Sequence, residues 1–300
     1  MPNCSKSSPT VAICSRWFCV SVLVWPASAV ALEQTLWPTL QTKAVNLVAN
    51  DWCPQHCEDS TTHKGYVVDI VSQALALEGV NVSLRFVPWS RALMMVQRGE
   101  ADGVLTPTVP GFPQFLYPDL AVGYQQYCFY VDAASHWKYR QYSDLQGKRV
   151  ALLADSGLGA LDDYLKANKS TITVHLMVGE HDYANRLFNF LTLKRTDTVV
   201  ITSDVFNYEQ ARDTLSAGFK SAGCLPSEKM AVGLSKSDAK RSKTIGLAID
   251  SGIIKLRKSG KLSNILAQYG MVDWALHPER FKNAHSTANP EALADAITVE

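Results

Sequence analysis

Four residues in one short stretch, Cys53, His56, Cys57 and His63, carry the nitrogen and sulfur groups that a zinc ion binds. The two cysteines also suit a local disulfide, because a separation of a few residues brings their Cα atoms within bridging range. Cys128 and Cys224 complete an even set once Cys4, Cys14 and Cys19 are assigned to an N-terminal leader. An even count in an oxidising compartment reads as paired thiols. Three pairings exist, and the spacing favours Cys53 with Cys57, which leaves Cys128 with Cys224. A tetrad confined to one loop in such a compartment favours the disulfide over zinc, so no metal and no cofactor are expected. Covalent haem needs Cys-x-x-Cys-His, and here Glu58 follows Cys57. So small a covalent loop shapes its surroundings more than it stabilises the whole chain.

Other chemistry finds little purchase. The chain has no Gly-x-Ser-x-Gly elbow, no His-Glu-x-x-His, no phosphate loop and no Cys-x-x-Cys. Asp155 and Asp204 are the candidates for acid–base work if the chain is an enzyme, but no catalytic residue is assigned. The 29 basic and 28 acidic residues nearly cancel, so charge points to no polyanionic partner. Lys236, Lys240, Arg241 and Lys243 form a small basic cluster that reads as a solvated helix face, with no aromatic interleaving to suggest nucleic acid.

The chain of 300 residues, 47% hydrophobic, is long enough for two domains and far from disordered composition. Residues 1–31 have Lys6 and Arg16 but no acid, then an apolar run from Trp17 to Trp25 and small residues at Ala27, Ser28, Ala29 and Ala31. This is the pattern of a cleaved secretory signal, cut near Ala29 or Ala31. A membrane span needs roughly 18 or more unbroken apolar residues. No lipid-anchor box precedes Cys14 or Cys19. Export to the periplasm is expected, as a monomer.

Beyond residue 44 strand and helix periods alternate, which argues for α/β layers. Strands are expected at Val45–Val48, Val80–Val87 and Gly103–Leu105. A helix from Tyr66 carries Val67, Ile70, Val71, Ala74 and Leu75 on one face and ends at Gly79. Ser90 offers an N-cap for a helix that Gly99 terminates. The second half repeats this plan: strand Val150–Leu153, helix Leu158–Leu165, strand Ile172–Val178, a helix from Ala184, and strand Thr198–Thr202. Strand-like passages at Tyr124–Ala133 and Met230–Leu234 suggest two crossings between lobes, a two-strand hinge. The expected division is a leader at 1–31, a first lobe at 32–130 and 226–277, a second lobe at 131–225, and a polar tail at 278–300.

Five segments, in order, resemble a known family: Gly65-Tyr66-Val67-Val68-Asp69-Ile70, Pro88-Trp89-Ser90-Arg91-Ala92, Arg98-Gly99-Glu100-Ala101-Asp102-Gly103, Asp144-Leu145-Gln146-Gly147-Lys148-Arg149-Val150 and Arg195-Thr196-Asp197-Thr198-Val199-Val200. They are similar to bacterial family-three extracellular solute-binding proteins, the periplasmic parts of polar amino acid ABC importers. The resemblance implies a two-lobed, type II periplasmic binding protein-like fold whose cleft closes on a small polar ligand by hinge motion. It also implies an inner-membrane ABC permease as partner.

A ligand in such a fold lies at the carboxyl ends of the strands, near helix N-termini. Trp52 follows the first strand, Trp89 the second, and Thr106 and Thr108 the third. From the second lobe come Asp155, Ser156 and Gly157, then Thr202, Ser203 and Asp204. Rings would supply contact area, hydroxyls and backbone N–H groups would hold an acidic part of the ligand, and Asp204 would pair with an ammonium. Asp204 and Ser203 equally suit a helix cap, and Trp89 suits a core better than direct ligand contact. The family usually places an arginine after the third strand to fork a ligand carboxylate, but Thr106–Pro113 contains none. The family's amino-group aspartate is displaced too, with Thr202 or Asp204 near its place. Arg91 is the candidate substitute, and its place at a helix start after Trp89 equally suits a surface or structural role. The expected function is non-catalytic ligand capture for import; an enzyme on the same scaffold, similar to cyclohexadienyl dehydratase, and a sensory module are the alternatives.

Overall fold

The computed structural model describes residues 40, 43–60, 63–179, 182–212, 215 and 218–276. The expected leader and tail lie outside the described residues. In chain order, β1 (Val45–Ala49), α1 (Tyr66–Leu77), β2 (Val82–Phe86), α2 (Trp89–Gln97) and β3 (Gly103–Val104) come first. The helix α1 buries Val67, Ile70, Val71, Ala74 and Leu75, the apolar face read from its periodicity. Helix α2 starts two residues earlier than an N-cap at Ser90 would give: Pro88 is the N-cap, so Ser90 is inside the first turn.

The chain then enters β4 (Gly123–Gln125) and β5 (Tyr127–Asp132), followed by β6 (Arg149–Leu153), α3 (Ala160–Ala167), β7 (Thr173–Met177), α4 (Tyr183–Thr192), β8 (Thr198–Thr202), α5 (Ser203–Ala211) and β9 (Phe219–Cys224). It returns through β10 (Glu228–Met230) and β11 (Gly233–Leu234) and ends in α6 (Ala239–Lys258) and α7 (Lys261–Gln268). Three sheets result: a four-stranded one in the order β11-β3-β1-β2, a five-stranded one in the order β7-β6-β8-β5-β9, and the antiparallel pair β10-β4 between them. In each larger sheet three strands are parallel, β3-β1-β2 and β7-β6-β8; β11 adds antiparallel to β3, β5 antiparallel to β8, and β9 antiparallel to β5. Parallel strands buried on both faces explain the continuous Val-Val-Ile run of β8.

Both strand-like passages divide. Tyr124–Ala133 becomes β4 in the hinge pair and β5 in the second sheet, so the chain leaves the first lobe at Gln126 and not near residue 130. Met230–Leu234 becomes the end of β10 and then β11, which rejoins the first sheet. The sulfurs pair as the spacing favoured, Cys53 with Cys57 and Cys128 with Cys224, the latter directly cross-strand between β5 and β9.

The acids of the five segments fasten the two lobes internally. Asp102 holds Arg241 through 2.7 Å and 3.0 Å hydrogen bonds and accepts the Asn46 N–H. Arg241 therefore leaves the solvated basic cluster expected of it, since its guanidinium is needed by a half-buried carboxylate. Asp197 plays the same part in the second lobe by taking Arg149 as a two-point pair. No described helix is long and apolar enough to cross a membrane.

Candidate functional site

The loop after β1 folds on itself through Trp52 N–H to His56 O at 2.7 Å and Gln55 N–H to Trp52 O at 2.9 Å, with the Cys53–Cys57 bond closing it. Its carbonyls at Pro54 and Gln55 then accept the Tyr66 and Val67 N–H groups that open α1. The turn thus sits at the carboxyl end of β1 against the start of α1, and presses Gln55 and His56 completely out of solvent.

His56 takes no part in a metal site. Its Nδ1 is 2.5 Å from the Asn50 carbonyl oxygen and its Nε2 is 2.8 Å from Thr106 Oγ1. A carbonyl only accepts, so Nδ1 carries the hydrogen and Nε2 accepts from the Thr106 hydroxyl. Burial pushes the His56 pKa down to about 4, against a smaller opposing effect of the Asn50 carbonyl. Unfolded His56 therefore binds protons in a pH range where the folded group does not. Stability should fall as pH is lowered from about 6.5 to about 4 and level off below, and the melting temperature of His56→Gln should lose that part of the slope. A slope unchanged in the variant would show that His56 is not its source. His63 stands apart, edge-on to Tyr269. The zinc tetrad is not assembled, because its sulfurs are bonded to each other and one imidazole is committed to Thr106.

Between the lobes lies a cavity of about 30 Å³, room for one or two waters. The first lobe lines it with Trp52, Gln55, Trp89, Thr106, Thr108 and Phe112, the second with Tyr127, Leu153 and Ser156, and Gln125 joins from the hinge. Two hydrogen bonds span the lobes: Gln55 Nε2 donates to Asp204 Oδ2 at 2.8 Å, and Trp89 Nε1 donates to the Asp155 carbonyl at 3.0 Å. Trp52 stacks on Tyr183 of α4 with ring centroids 4.4 Å apart. Gly157, with φ +66°, is so close to Phe112 that a Cβ there would come within 2.5 Å of the ring. These contacts describe a closed arrangement.

Of the residues expected to meet a ligand, Trp52, Trp89, Thr106, Thr108 and Ser156 line the cavity. Asp204 reaches it through Gln55, and its Oδ1 is buried with no hydrogen-bond donor. Asp204 does not cap α5, whose N-cap is Thr202 without a side-chain bond. Thr202 is fully buried opposite Tyr127 and is not among the lining residues. Asp155 contributes its backbone carbonyl while its side chain is exposed. Gly157 contributes close approach. Arg91 is exposed on α2 and outside the lining. Gln55, Gln125, Phe112, Tyr127 and Tyr183 were not foreseen. Gln55 had a signal: it follows β1 inside the Cys53–Cys57 loop, at the same carboxyl edge as Trp52.

Asp204 sets the electrostatics. Tyr66, Tyr127 and Tyr183 have phenol pKa values raised first by burial and further by its negative charge. Among the described residues, no Lys, Arg or His forms an ion pair with it.

No protein-family model matches the chain, and no curated protein sequence matches it. Solved structures do. A histidine kinase sensor domain with similarity to periplasmic binding proteins aligns with a TM-score of 0.61 at 18% identity, over 77% of this chain and 97% of that one. An amino acid ABC transporter substrate-binding protein of Streptococcus pneumoniae, bound to L-arginine, gives 0.59 at 18% identity over 77% and 96%. The ancestral amino acid-binding protein AncCDT-1, a precursor of cyclohexadienyl dehydratase, gives 0.57 at 15% identity over 76% and 96%. With its two sheets, its two-strand hinge and these likenesses, the chain has a two-lobed, periplasmic-binding-protein-like α/β fold.

Proposed function

We propose that this chain is an exported, monomeric solute-binding protein that closes on one small polar molecule and presents the closed form to an ABC-type permease in the inner membrane. The observation that carries this is the cavity whose walls come from both lobes and whose seam is bridged by Gln55 to Asp204 and Trp89 to Asp155. A solute there would touch both lobes, and closure would be driven by its contacts with both walls. The division of the chain supports hinge motion, since among the described residues β4 with β10 and their flanking residues join the sheets. Paired cysteines agree with an oxidising compartment.

Trp52 and Trp89 both lie at the seam, so ligand titration should give a saturable change in tryptophan fluorescence with no loss of the ligand. Trp89→Phe keeps an aromatic ring, smaller than the indole, and removes the N–H to Asp155, and should weaken binding by about 1 kcal/mol, roughly fivefold. Consumption of the ligand would overturn the proposal in favour of an enzyme. That alternative is poorly served here, because an elimination needs a positioned acid and base, and of its two candidates the Asp155 side chain is exposed.

A further inference from the structure

We infer that the ligand is a small organic cation that carries N–H donors and has no carboxylate as its anchor, an amine or amidinium type of molecule. This rests on the cleft being a solute site, and it comes from the hydrogen bonds of Gln55, Trp89, Thr106 and Ser156 and the charges around them.

Four of the side chains around the cavity spend donors within the protein, while the amides of Asn50 and Gln125 and the hydroxyl of Thr108 keep hydrogens of their own. Thr106 gives its hydroxyl hydrogen to His56, Ser156 gives its own to the Leu153 carbonyl at 2.6 Å, and Trp89 gives its indole N–H to the Asp155 carbonyl. Gln55 turns its amide nitrogen to Asp204, because a carboxylate opposite the amide oxygen would repel it. The amide oxygen, Gln55 Oε1, is left buried without a donor, although the residue is fully buried. Thr106 and Ser156 likewise keep only lone pairs to offer, and Thr108 Oγ1 is buried and unpartnered. The wall therefore asks for hydrogens at Gln55, Thr106 and Ser156, while Thr108, Asn50 and Gln125 can both give and accept them.

The positive ends of the helices, where an anion would ordinarily sit, already hold anions. At the start of α3, Asp162 Oδ2 accepts the Leu158 N–H at 2.9 Å. At the start of α5 the first turn holds Asp204 itself. A ligand carboxylate would meet these two charges with no arginine or lysine among the lining residues. A cation would instead meet Asp204 behind Gln55 and the faces of Trp52, Trp89, Phe112 and Tyr127. Outside the Trp52–Tyr183 stack, a cavity of about 500 Å³ is lined by Asp51, Asp59, Asp182 and Glu209 against Arg212 among the described residues, a field that draws cations toward the seam.

The test uses matched pairs that differ by one carboxylate: agmatine with arginine, putrescine with ornithine, histamine with histidine and tyramine with tyrosine. Each is titrated into the whole protein by calorimetry, beside succinate and glucose. At least one amine should bind ten times more tightly or better than its amino acid partner, and Asp204→Asn should weaken that amine at least tenfold while Asp204→Glu restores part of it. Melting curves of both variants establish that they fold. An amino acid that binds as well as its amine, or binding of succinate or glucose alone, would overturn the cation assignment and leave solute capture standing. If none of these compounds binds, and native mass spectrometry of protein exposed to a metabolite extract finds no companion molecule, both readings fall together.

Discussion

Gly111→Ala should hold the lobes apart. A Cβ at residue 111 would lie 2.5 Å from Thr108 Oγ1 and 2.7 Å from the Gly157 carbonyl oxygen. The first atom belongs to a rotatable side chain, but the second is backbone of the opposite lobe, so relief comes most cheaply by separating the lobes. Overpacking of this kind costs about 1–3 kcal/mol. Because the penalty falls on the closed state alone, ligand affinity should drop by roughly 5- to 150-fold, and the ligand-induced decrease in radius of gyration measured by X-ray scattering should shrink. Gly246→Ala is the control: it meets nothing nearer than 3.5 Å on α6 and should leave affinity unchanged. Wild-type compaction and affinity in Gly111→Ala would show that the 111–157 approach does not limit closure.

Loss of the Cys128–Cys224 bond should give the largest change in stability. The pair spans a sequence separation of 96 residues with Cα atoms 3.9 Å apart, and a loop of that order restricts the unfolded chain by about 4–5 kcal/mol on the entropy argument. Cys53–Cys57 spans only 4 and should be worth less than half as much. The double variant Cys128→Ser/Cys224→Ser should therefore move the urea midpoint much further than Cys53→Ser/Cys57→Ser does. The order should reverse for ligand affinity, because the smaller loop carries Trp52 and Gln55. Equal urea midpoints would remove the loop-length account.

What the sequence disclosed follows from which features are local. Periodicity located α1 and its buried face because one helix records its own core side in the spacing of Val67, Ile70, Val71 and Ala74. Strand β8 was legible to the residue because its apolar run Val199-Val200-Ile201 is bracketed by threonine on both sides. The crossing at Gln126 was not, since β4 and β5 are both strands and only their partners differ. The cavity was half legible. The rule that ligands gather at strand ends found Trp52, Trp89, Thr106, Thr108 and Ser156, but Gln55 was passed over because its loop was being weighed for sulfur chemistry. The direction of a hydroxyl hydrogen lay wholly beyond reach: that Thr106 points its own at His56 depends on a contact between residues 50 positions apart.

The Cys128–Cys224 bond has a topological consequence. Cys128 lies two residues past the crossing at Gln126, and Cys224 lies four before Glu228, where the return strand begins. Everything between them, three parallel strands, three helices and both antiparallel partners, is a covalent ring hung from the rest of the chain by two short threads. A single peptide cleavage anywhere inside the ring leaves one connected molecule, whereas a cleavage in either thread leaves the ring tethered by the other. Twisting of one lobe on the other is confined to the residues outside the ring, Gly123–Gln125 with Glu228–Met230 and their immediate neighbours, so the second lobe turns as a unit.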